Sequence, residues 1–212
     1  MPEPEYPDPG TRNVIAAGCS RCPALVESRE RIAWGNGSTD ADLVVVGEAP
    51  GGGDPDAERW RGGNYTGLAY TARHSGRVVR ALLEDLGFGP DDVYVTNAVK
   101  CHPEGNRDPT DGELDACFAH LRAELDAVDP VVVATTGRHA TRVLLDREGF
   151  ALEGFLDAVL DPIDCPGLGV TVLPLLHPAY QHVWRPRLGF ETRAAYVDAV
   201  GEALAPLGDG KG

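Results

Sequence analysis

The sequence predicts an α/β fold, a three-layer α/β/α sandwich around a central four-stranded, mainly parallel sheet. Four runs of apolar, largely β-branched residues are continuous rather than alternating, which is typical of strands buried on both faces. Segments with apolar residues at helical spacing lie between these runs and after the last one. Such an alternation of strands and helices favours a parallel sheet that is covered by helices on both sides.

The four predicted strands share a short length and an end marked by polar residues or glycine. In chain order they are "DLVVVG" at 42–47, "VYVTNAV" at 93–99, "PVVVATT" at 130–136 and "GVTVLPLL" at 169–176.

The predicted helices follow the strands in order. The segment at 75–88 has apolar residues at helical spacing and ends near Gly87, and the segment at 110–128 begins with Thr110 as a cap and acidic residues in its first turn. The segments at 136–149 and 189–207 complete the pattern.

A chain of 212 residues favours a single domain, which we place at 13–207 with a cysteine-bearing segment at its N-terminal end. We expect the acidic, Pro-rich segment 1–12 and the segment 208–212 to be disordered tails. No apolar run is long enough to span a membrane, and the first residues lack the pattern of a secretory signal. We therefore expect a cytoplasmic protein.

The formal net charge is −14, and the basic residues are 17 Arg against 2 Lys. One interpretation is a protein that does not bind polyanions. The acidity is spread along the whole chain, however, which is typical of proteins from high-salt cells, and we expect a haloarchaeal source. At molar salt, charges are screened within about 3 Å, so the net charge does not exclude a nucleic-acid ligand.

Three polar side chains follow buried strands and are the first candidates for a functional site. Glu48 begins "EAPGGG" after the first strand, Asn97 lies near the end of the second, and His177 follows the fourth. The carboxyl ends of parallel strands meet at one edge of a sheet, so we expect these residues to converge on one crevice. The glycine-rich loop at 47–53 lacks the phosphate-loop pattern, and a plain structural turn is the alternative for it.

The five cysteines are better explained by metal or chemistry than by disulfides, because we expect a cytoplasmic protein. "CSRC" places Cys19 and Cys22 in one turn, while Cys101 follows the second strand and Cys117 lies in the next helix. Four thiolates fit a structural zinc or a [4Fe–4S] cluster, and unrelated buried thiols are the alternative. Cys165 lies in a loop without a partner, and we expect it to be unligated.

The segment "LLHPAYQHVWRPR" at 175–187 is the densest basic and aromatic stretch of the chain. Arg and aromatic side chains suit contact with phosphate and unstacked bases, although a Trp packed on the body with solvated Arg side chains is the alternative. The candidate nucleic-acid-binding residues are His182, Trp184, Arg185, Arg187 and, after the second strand, Arg107.

These segments together resemble the iron–sulfur uracil-DNA glycosylases of archaea and bacteria, of the family-four and family-five types. The resemblance covers the chain from about residue 19 to 204 and rests on an ordered set of motifs: "CSRC", "GEAPG", "TGLAYTARHSG", "TNAVKCHPEGNR", Cys117 and "HPAY". It implies a four-stranded parallel sheet between helices. It also implies a [4Fe–4S] cluster held by Cys19, Cys22, Cys101 and Cys117, with zinc as the less favoured alternative.

The resemblance also assigns roles to the polar residues. It implies that Glu48 and the residues after it, Ala49, Pro50 and Gly51, shape the site for water and uracil. It implies that Asn97 reads the uracil edge, that Asn106 is a second site asparagine, and that His177 stabilises charge on the leaving base. Tyr70 matches the stacking aromatic, and Tyr65 is the competing choice.

Two departures blur the assignment to one type. Glu48 follows the family-four pattern, whereas Arg73 stands where family five carries an acid. Ala179 replaces the usual serine after His177 and Pro178. These departures leave open whether uracil alone or other deaminated bases are substrates.

The resemblance implies a DNA repair glycosylase that flips uracil out of single- or double-stranded DNA and hydrolyses its N-glycosidic bond. We expect a monomer, and the sequence leaves open whether it also contacts a sliding clamp. A catalytically silent DNA-damage binder and a zinc-stabilised hydrolase of small nucleotides are the alternatives. Lys100 is expected to face solvent or a phosphate.

Overall fold

The computed structural model describes residues 3–210 and contains a six-stranded sheet in the order β1-β3-β2-β4-β6-β5. The four central strands are parallel, as predicted, and the two edge strands are antiparallel to their neighbours. The edge strands were not predicted, because two or three residues leave no readable apolar run. The strands are β1 Asn36–Gly37, β2 Leu43–Gly47, β3 Val93–Asn97, β4 Val132–Thr136, β5 Ile163–Cys165 and β6 Val170–Leu175.

The helices confirm the predicted alternation. Thr110 caps α4 through a reciprocal capping box with Glu113, which explains why this helix begins where the sequence indicated. Among residues 3–210, no helix combines the length and the apolar character that a membrane crossing requires. The helices are α1 Pro23–Ser28, α2 Gly63–Thr66, α3 Ser75–Asp85, α4 Asp111–Val128, α5 Arg138–Leu145, α6 Gln181–Trp184 and α7 Arg193–Leu204.

The sheet lies between two helical layers, so the predicted three-layer sandwich is confirmed. Val44 and Val46 of β2 pack into one apolar cluster with α4 and α5, whereas Leu43 and Val45 pack into a second cluster with α3 and α7. Alternate residues of a strand point to opposite faces, so a strand covered on both sides needs a continuous apolar run.

The N-terminal segment that we expected to be a disordered tail contacts the body of the protein. Glu3 accepts a hydrogen bond from the Trp60 indole at 2.5 Å, and the Tyr6 ring packs edge-on against Trp60. Arg12 donates to the carbonyls of Ile32 and Gly67 at 2.7 and 2.8 Å. Composition alone did not reveal these contacts, because their partners lie far along the chain. Residues 211–212 of the predicted C-terminal tail lie outside the described residues, as do residues 1–2.

Candidate base pocket and thiol site

Each of the four parallel strands places a polar side chain at the same edge of the sheet. Glu48 directly follows β2, Asn97 ends β3, and His177 lies two residues after β6. His139, in the first turn of α5, comes from the end of β4 and was missed in the sequence analysis. A Cβ on Gly137, the residue before α5, would lie only 3.0 Å from His177 Cδ2, so glycine lets the imidazole pack on the backbone there.

Asn97, Tyr70 and Thr136 form a polar corner over Gly47. A Cβ on Gly47 would lie 2.5 Å from Asn97 Oδ1 and 2.7 Å from Tyr70 Oη, so only glycine fits beneath them. Asn97 is 4% exposed, and its Nδ2 has no hydrogen-bond partner among the described residues. A buried donor without a partner is costly unless a ligand completes it, so the corner is suited to a ligand that offers an acceptor.

Tyr70, rather than Tyr65, lies in this corner. Its hydroxyl pairs with Thr136 Oγ1 at 2.6 Å, and its backbone has a left-handed φ of 53° that is uncommon for a bulky residue. The guanidinium of Arg80 donates to the Tyr70 carbonyl at 3.2 Å and supports this conformation. Burial raises the pKa of Tyr70, so the phenol is neutral. Tyr65 lies instead beneath the guanidinium of Arg61.

The loop after β2 is held by two residues from the loop after β3. His102 Nδ1 lies 3.0 Å from the Pro50 carbonyl and is its donor, while Gly52 N donates to Asn106 Oδ1 at 2.9 Å. Ala49 packs against the core, and a Cβ on Gly51 would contact Ala72. Asn106 therefore faces this loop rather than the Asn97 corner, and His102 is a positioning residue that the sequence did not reveal.

Glu48 is paired with a histidine. His139 Nδ1 lies 2.7 Å from Glu48 Oε2, and both side chains are about three-quarters buried. On the solvent side, Asp108 Oδ2 lies 3.9 Å from His139 Nε2. The hydrogen bond to Glu48 raises the pKa of His139, outweighing desolvation, and the charges of Glu48 and Asp108 raise it further.

His177 has a defined tautomer. Its Nδ1 accepts a hydrogen bond from Ala179 N at 3.3 Å, so in the neutral ring the proton is on Nε2. Burial lowers the pKa of His177, which favours this neutral form. The ring can therefore donate a hydrogen bond from Nε2 to a ligand oxygen.

The predicted DNA-binding segment follows His177 and carries exposed apolar side chains. Tyr180 is 57% exposed, and its ring lies 5.5 Å from that of His177. Trp184 packs against the core with the Arg187 guanidinium over its ring, while Arg185 donates back to the Gln181 carbonyl. His182 and Arg187 remain exposed.

The Arg107 side chain forms a bidentate ion pair within the protein. Its guanidinium binds both carboxylate oxygens of Glu113 at 2.8 and 2.6 Å and lowers the pKa of Glu113 to about 2. Two such bonds fix the orientation of the guanidinium and occupy donors that a phosphate would need, so a DNA contact by Arg107 stays a prediction.

Four of the five cysteines line one cavity, and each is a free thiol. They are the predicted ligands Cys19, Cys22, Cys101 and Cys117. Cys165 is fully buried in β5 rather than in the predicted loop, and it does not line this cavity. Burial raises the pKa of Cys117 to about 11, so the thiol form is favoured at neutral pH and a bound cation would favour the thiolate.

Three nitrogen groups point at sulfur atoms of this thiol site. Arg29 Nη1 donates to Cys101 Sγ at 3.1 Å, the backbone N–H of Lys100 donates to Cys117 Sγ at 3.3 Å, and His120 Nε2 lies 3.2 Å from Cys19 Sγ. Hydrogen bonds of this kind stabilise thiolates that ligate a metal or cluster. No sequence spacing links Arg29 or His120 to the cysteines.

The predicted environment of Lys100 is wrong. Its side chain is 1% exposed and its Nζ lies 2.5 Å from Glu124 Oε2, with Glu124 completely buried. Lys100 Nζ also donates to Thr96 Oγ1 at 2.8 Å and to the Asn97 carbonyl at 2.5 Å. The ion pair therefore joins the end of β3 to α4, directly beside both the polar corner and the thiol site.

The described residues form an α/β protein with a polar pocket at the carboxyl edge of the sheet and a separate cavity lined by four cysteines. Comparison with known proteins shows the family. The model of the uracil DNA glycosylase superfamily matches residues 34–203. The chain belongs to the uracil-DNA glycosylase superfamily.

Relatives of two types are similar to the chain. It is 31% identical to a type-4 uracil-DNA glycosylase of Saccharolobus solfataricus, over 76% of this chain and 71% of that protein. It is 33% identical to a type-4 uracil-DNA glycosylase of Thermotoga maritima, over 76% of this chain and 77% of that protein. Identity to a type-5 uracil-DNA glycosylase of Pyrobaculum aerophilum is 33%, over 83% of this chain and 84% of that protein.

Proposed function

We propose that the protein is a DNA repair glycosylase that flips uracil out of single- or double-stranded DNA and hydrolyses its N-glycosidic bond, leaving an abasic site. The observation that carries the proposal is the buried, unpartnered Nδ2 of Asn97 at the strand-end corner. Membership of the superfamily and the names of the similar relatives support the same activity.

Asn97 distinguishes uracil from cytosine. Its Nδ2 donates to uracil O4 and its Oδ1 accepts from N3–H, whereas cytosine presents a donor and an acceptor in the opposite order. Tyr70, fixed by Thr136, contacts the face of the base. A base must leave the stack to reach this buried corner, which is the general strategy of enzymes that act on a base.

Glu48 and His177 act on the bond that breaks. The carboxylate of Glu48 orients a water, accepts its proton as the oxygen attacks C1′, and offsets the positive charge that develops on the sugar. The electron pair of the C1′–N1 bond leaves with uracil, and His177 Nε2–H donates to O2 of the resulting anion. Uracil then takes up a proton from solvent.

The segment after His177 is the proposed DNA contact. Tyr180 and Val183 are exposed apolar side chains next to the pocket, and side chains of this kind can occupy the place of an extruded base. The neighbouring side chains suited to phosphate and base contact are His182, Trp184, Arg185 and Arg187.

We further propose that the thiol site holds a [4Fe–4S] cluster rather than zinc. A single tetrahedral Zn²⁺ with bonds of about 2.3 Å needs sulfur atoms about 3.8 Å apart. Among the described residues, the one group of three or more His, Cys, Asp or Glu ligand atoms that lie within 4.8 Å of one another is Glu48, Asp108 and His139. No three cysteine sulfur atoms are therefore that close together, so these sulfur atoms stand wider than one zinc requires. Glycosidic hydrolysis transfers no electrons, so the proposed role of the cluster is structural. It ties the N-terminal segment to β3 and α4.

Replacing Cys101 by Ala should remove the visible absorbance of the cluster and most of the bound iron and sulfide. It should also lower the thermal midpoint by about 10 °C or more, since a chain of this size loses about 2–4 °C per kcal/mol. Cys165→Ala is the matched control, because it removes a buried thiol outside the site and should keep its iron. A folded, active and iron-free Cys101→Ala protein would show that the cluster is dispensable.

The activity is tested by release of free base from oligonucleotides with a single uracil or cytosine, single- and double-stranded, at molar salt. The wild type should release uracil only, Asn97→Ala should lose about 100-fold in rate, and Asn97→Asp should in addition lose the preference over cytosine. DNA binding without release would indicate a silent damage binder. Turnover of free deoxyuridine alone would indicate a small-nucleotide hydrolase.

A further inference from the structure

His139 has no part in the proposed mechanism, yet among the described residues it makes the one side-chain hydrogen bond to the carboxylate of Glu48. Its Nδ1 lies 2.7 Å from Glu48 Oε2, and none of the described residues donates a hydrogen bond to Oε1. The histidine lies in the first turn of α5, packed next to β4, and reaches across to the loop after β2. One carboxylate oxygen is thus held by the protein and the other is left for a water.

We propose that His139 is a positioning residue that holds Glu48 in its reactive orientation. When His139 is protonated, its positive charge offsets part of the negative charge of the Glu48 carboxylate. The proposal rests on the proposed function, because it assigns a partner to the residue that activates water. In this role His139 acts on the reaction through Glu48.

The groups that face His139 determine the direction of its titration. Glu48 faces Nδ1 from the loop after β2, and Asp108 faces Nε2 from the loop after β3. Arg142 lies on α5 itself, and its charge opposes protonation less strongly than the carboxylates favour it. His177 approaches from the end of β6, and burial favours its neutral form. The pKa of His139 therefore lies above the ordinary value for histidine.

The two protonation states should differ in activity. Below its pKa, His139 is an imidazolium paired with Glu48, and the pair presents little net negative charge to the positive sugar. Above its pKa, the neutral ring still donates from Nδ1, so the carboxylate keeps its orientation and its full charge. The rate of base release should therefore rise with pH through the pKa of His139. Burial lowers the pKa of His177, which separates its titration from this one.

The test compares His139→Asn, His139→Ala and wild type in single-turnover release of uracil between pH 5.5 and 9. An Asn amide can donate from nearly the position of Nδ1 and does not titrate. We expect wild type to show a rise of about 10-fold, His139→Asn to keep the high-pH rate without the rise, and His139→Ala to lose about 10- to 100-fold at every pH. His74→Asn, at an exposed histidine, is the control and should behave as wild type.

A second measurement is independent of activity. NMR titration of the imidazole resonances should give His139 a pKa above the ordinary value for histidine in wild type, and the Glu48→Gln substitution should lower it. Equal pKa values in both proteins, or an unchanged pH profile in His139→Asn, would overturn the proposal. A raised and Glu48-dependent pKa in a protein that releases no base would leave the pair intact and refute the glycosylase function instead.

Discussion

Replacing Glu48 by Gln is expected to lower the single-turnover rate of uracil release by about 10²- to 10⁴-fold. The amide keeps the volume of the side chain and can still accept a hydrogen bond from His139. It offers no negative charge to the developing sugar cation and no basic oxygen to the water. The measurement is single-turnover release with enzyme in excess over a uracil-containing oligonucleotide, so that product release does not limit the rate.

Two controls separate chemistry from binding and folding. Glu153→Gln removes one negative charge from an exposed position away from the strand ends and should leave the rate unchanged. Binding of Glu48→Gln to DNA should match that of wild type, because the carboxylate acts on water rather than on phosphate. A Glu48→Gln protein that releases uracil at the wild-type rate would remove this residue from the mechanism and assign water activation elsewhere.

Replacing Lys100 by Met is expected to lower the free energy of unfolding by about 3–5 kcal/mol. Lys100 and Glu124 are 1% and 0% exposed, and Met leaves the carboxylate of Glu124 buried without its cation. That carboxylate would keep the hydrogen bonds from Thr96 Oγ1 and Gly35 N, neither of which carries a charge. Urea unfolding at fixed salt measures the loss, with the slope of the transition checked for a change in the unfolded state.

The double variant Lys100→Met/Glu124→Gln distinguishes the cost of an unpaired charge from the cost of lost packing. The Gln Oε1 can still accept from Gly35 N, its Nε2 can donate to Thr96 Oγ1, and no charge remains buried. We therefore expect the double variant to recover most of the stability that Lys100→Met alone loses. If both variants were equally unstable, the loss would come from the Lys100 contacts with Thr96 and the Asn97 carbonyl rather than from the charge.

The pair of Lys100 and Glu124 also gives the pocket and the thiol site a common support. Lys100 Nζ holds the carbonyl of Asn97, while the backbone N–H of the same lysine donates to Cys117 Sγ. Asn97 of the pocket and Cys117 of the thiol site thus contact opposite ends of one lysine. A substitution that disturbs either the pocket or the thiol site is expected to affect the other site through Lys100.

Much of the fold was predictable because a strand that is buried on both faces requires a continuous run of apolar residues, which is visible in the sequence. The continuous apolar runs identified all four parallel strands, and Thr110 marked the start of α4. Parallel strands end at one edge, which is why Glu48, Asn97 and His177 could be expected together. The antiparallel edge strands left no such record because they are too short.

The amino-acid sequence by itself determined the layers, the strand ends and the set of four cysteines, since each depends on periodicity or order along the chain. Only the tertiary structure decided that His139 pairs with Glu48, that Asn106 holds Gly52, and that Lys100 is buried against Glu124. Each contact joins residues that are 24 to 91 positions apart and lie on different elements. Such pairings depend on how helices and loops cross the sheet edge, and no local pattern of residues encodes that geometry.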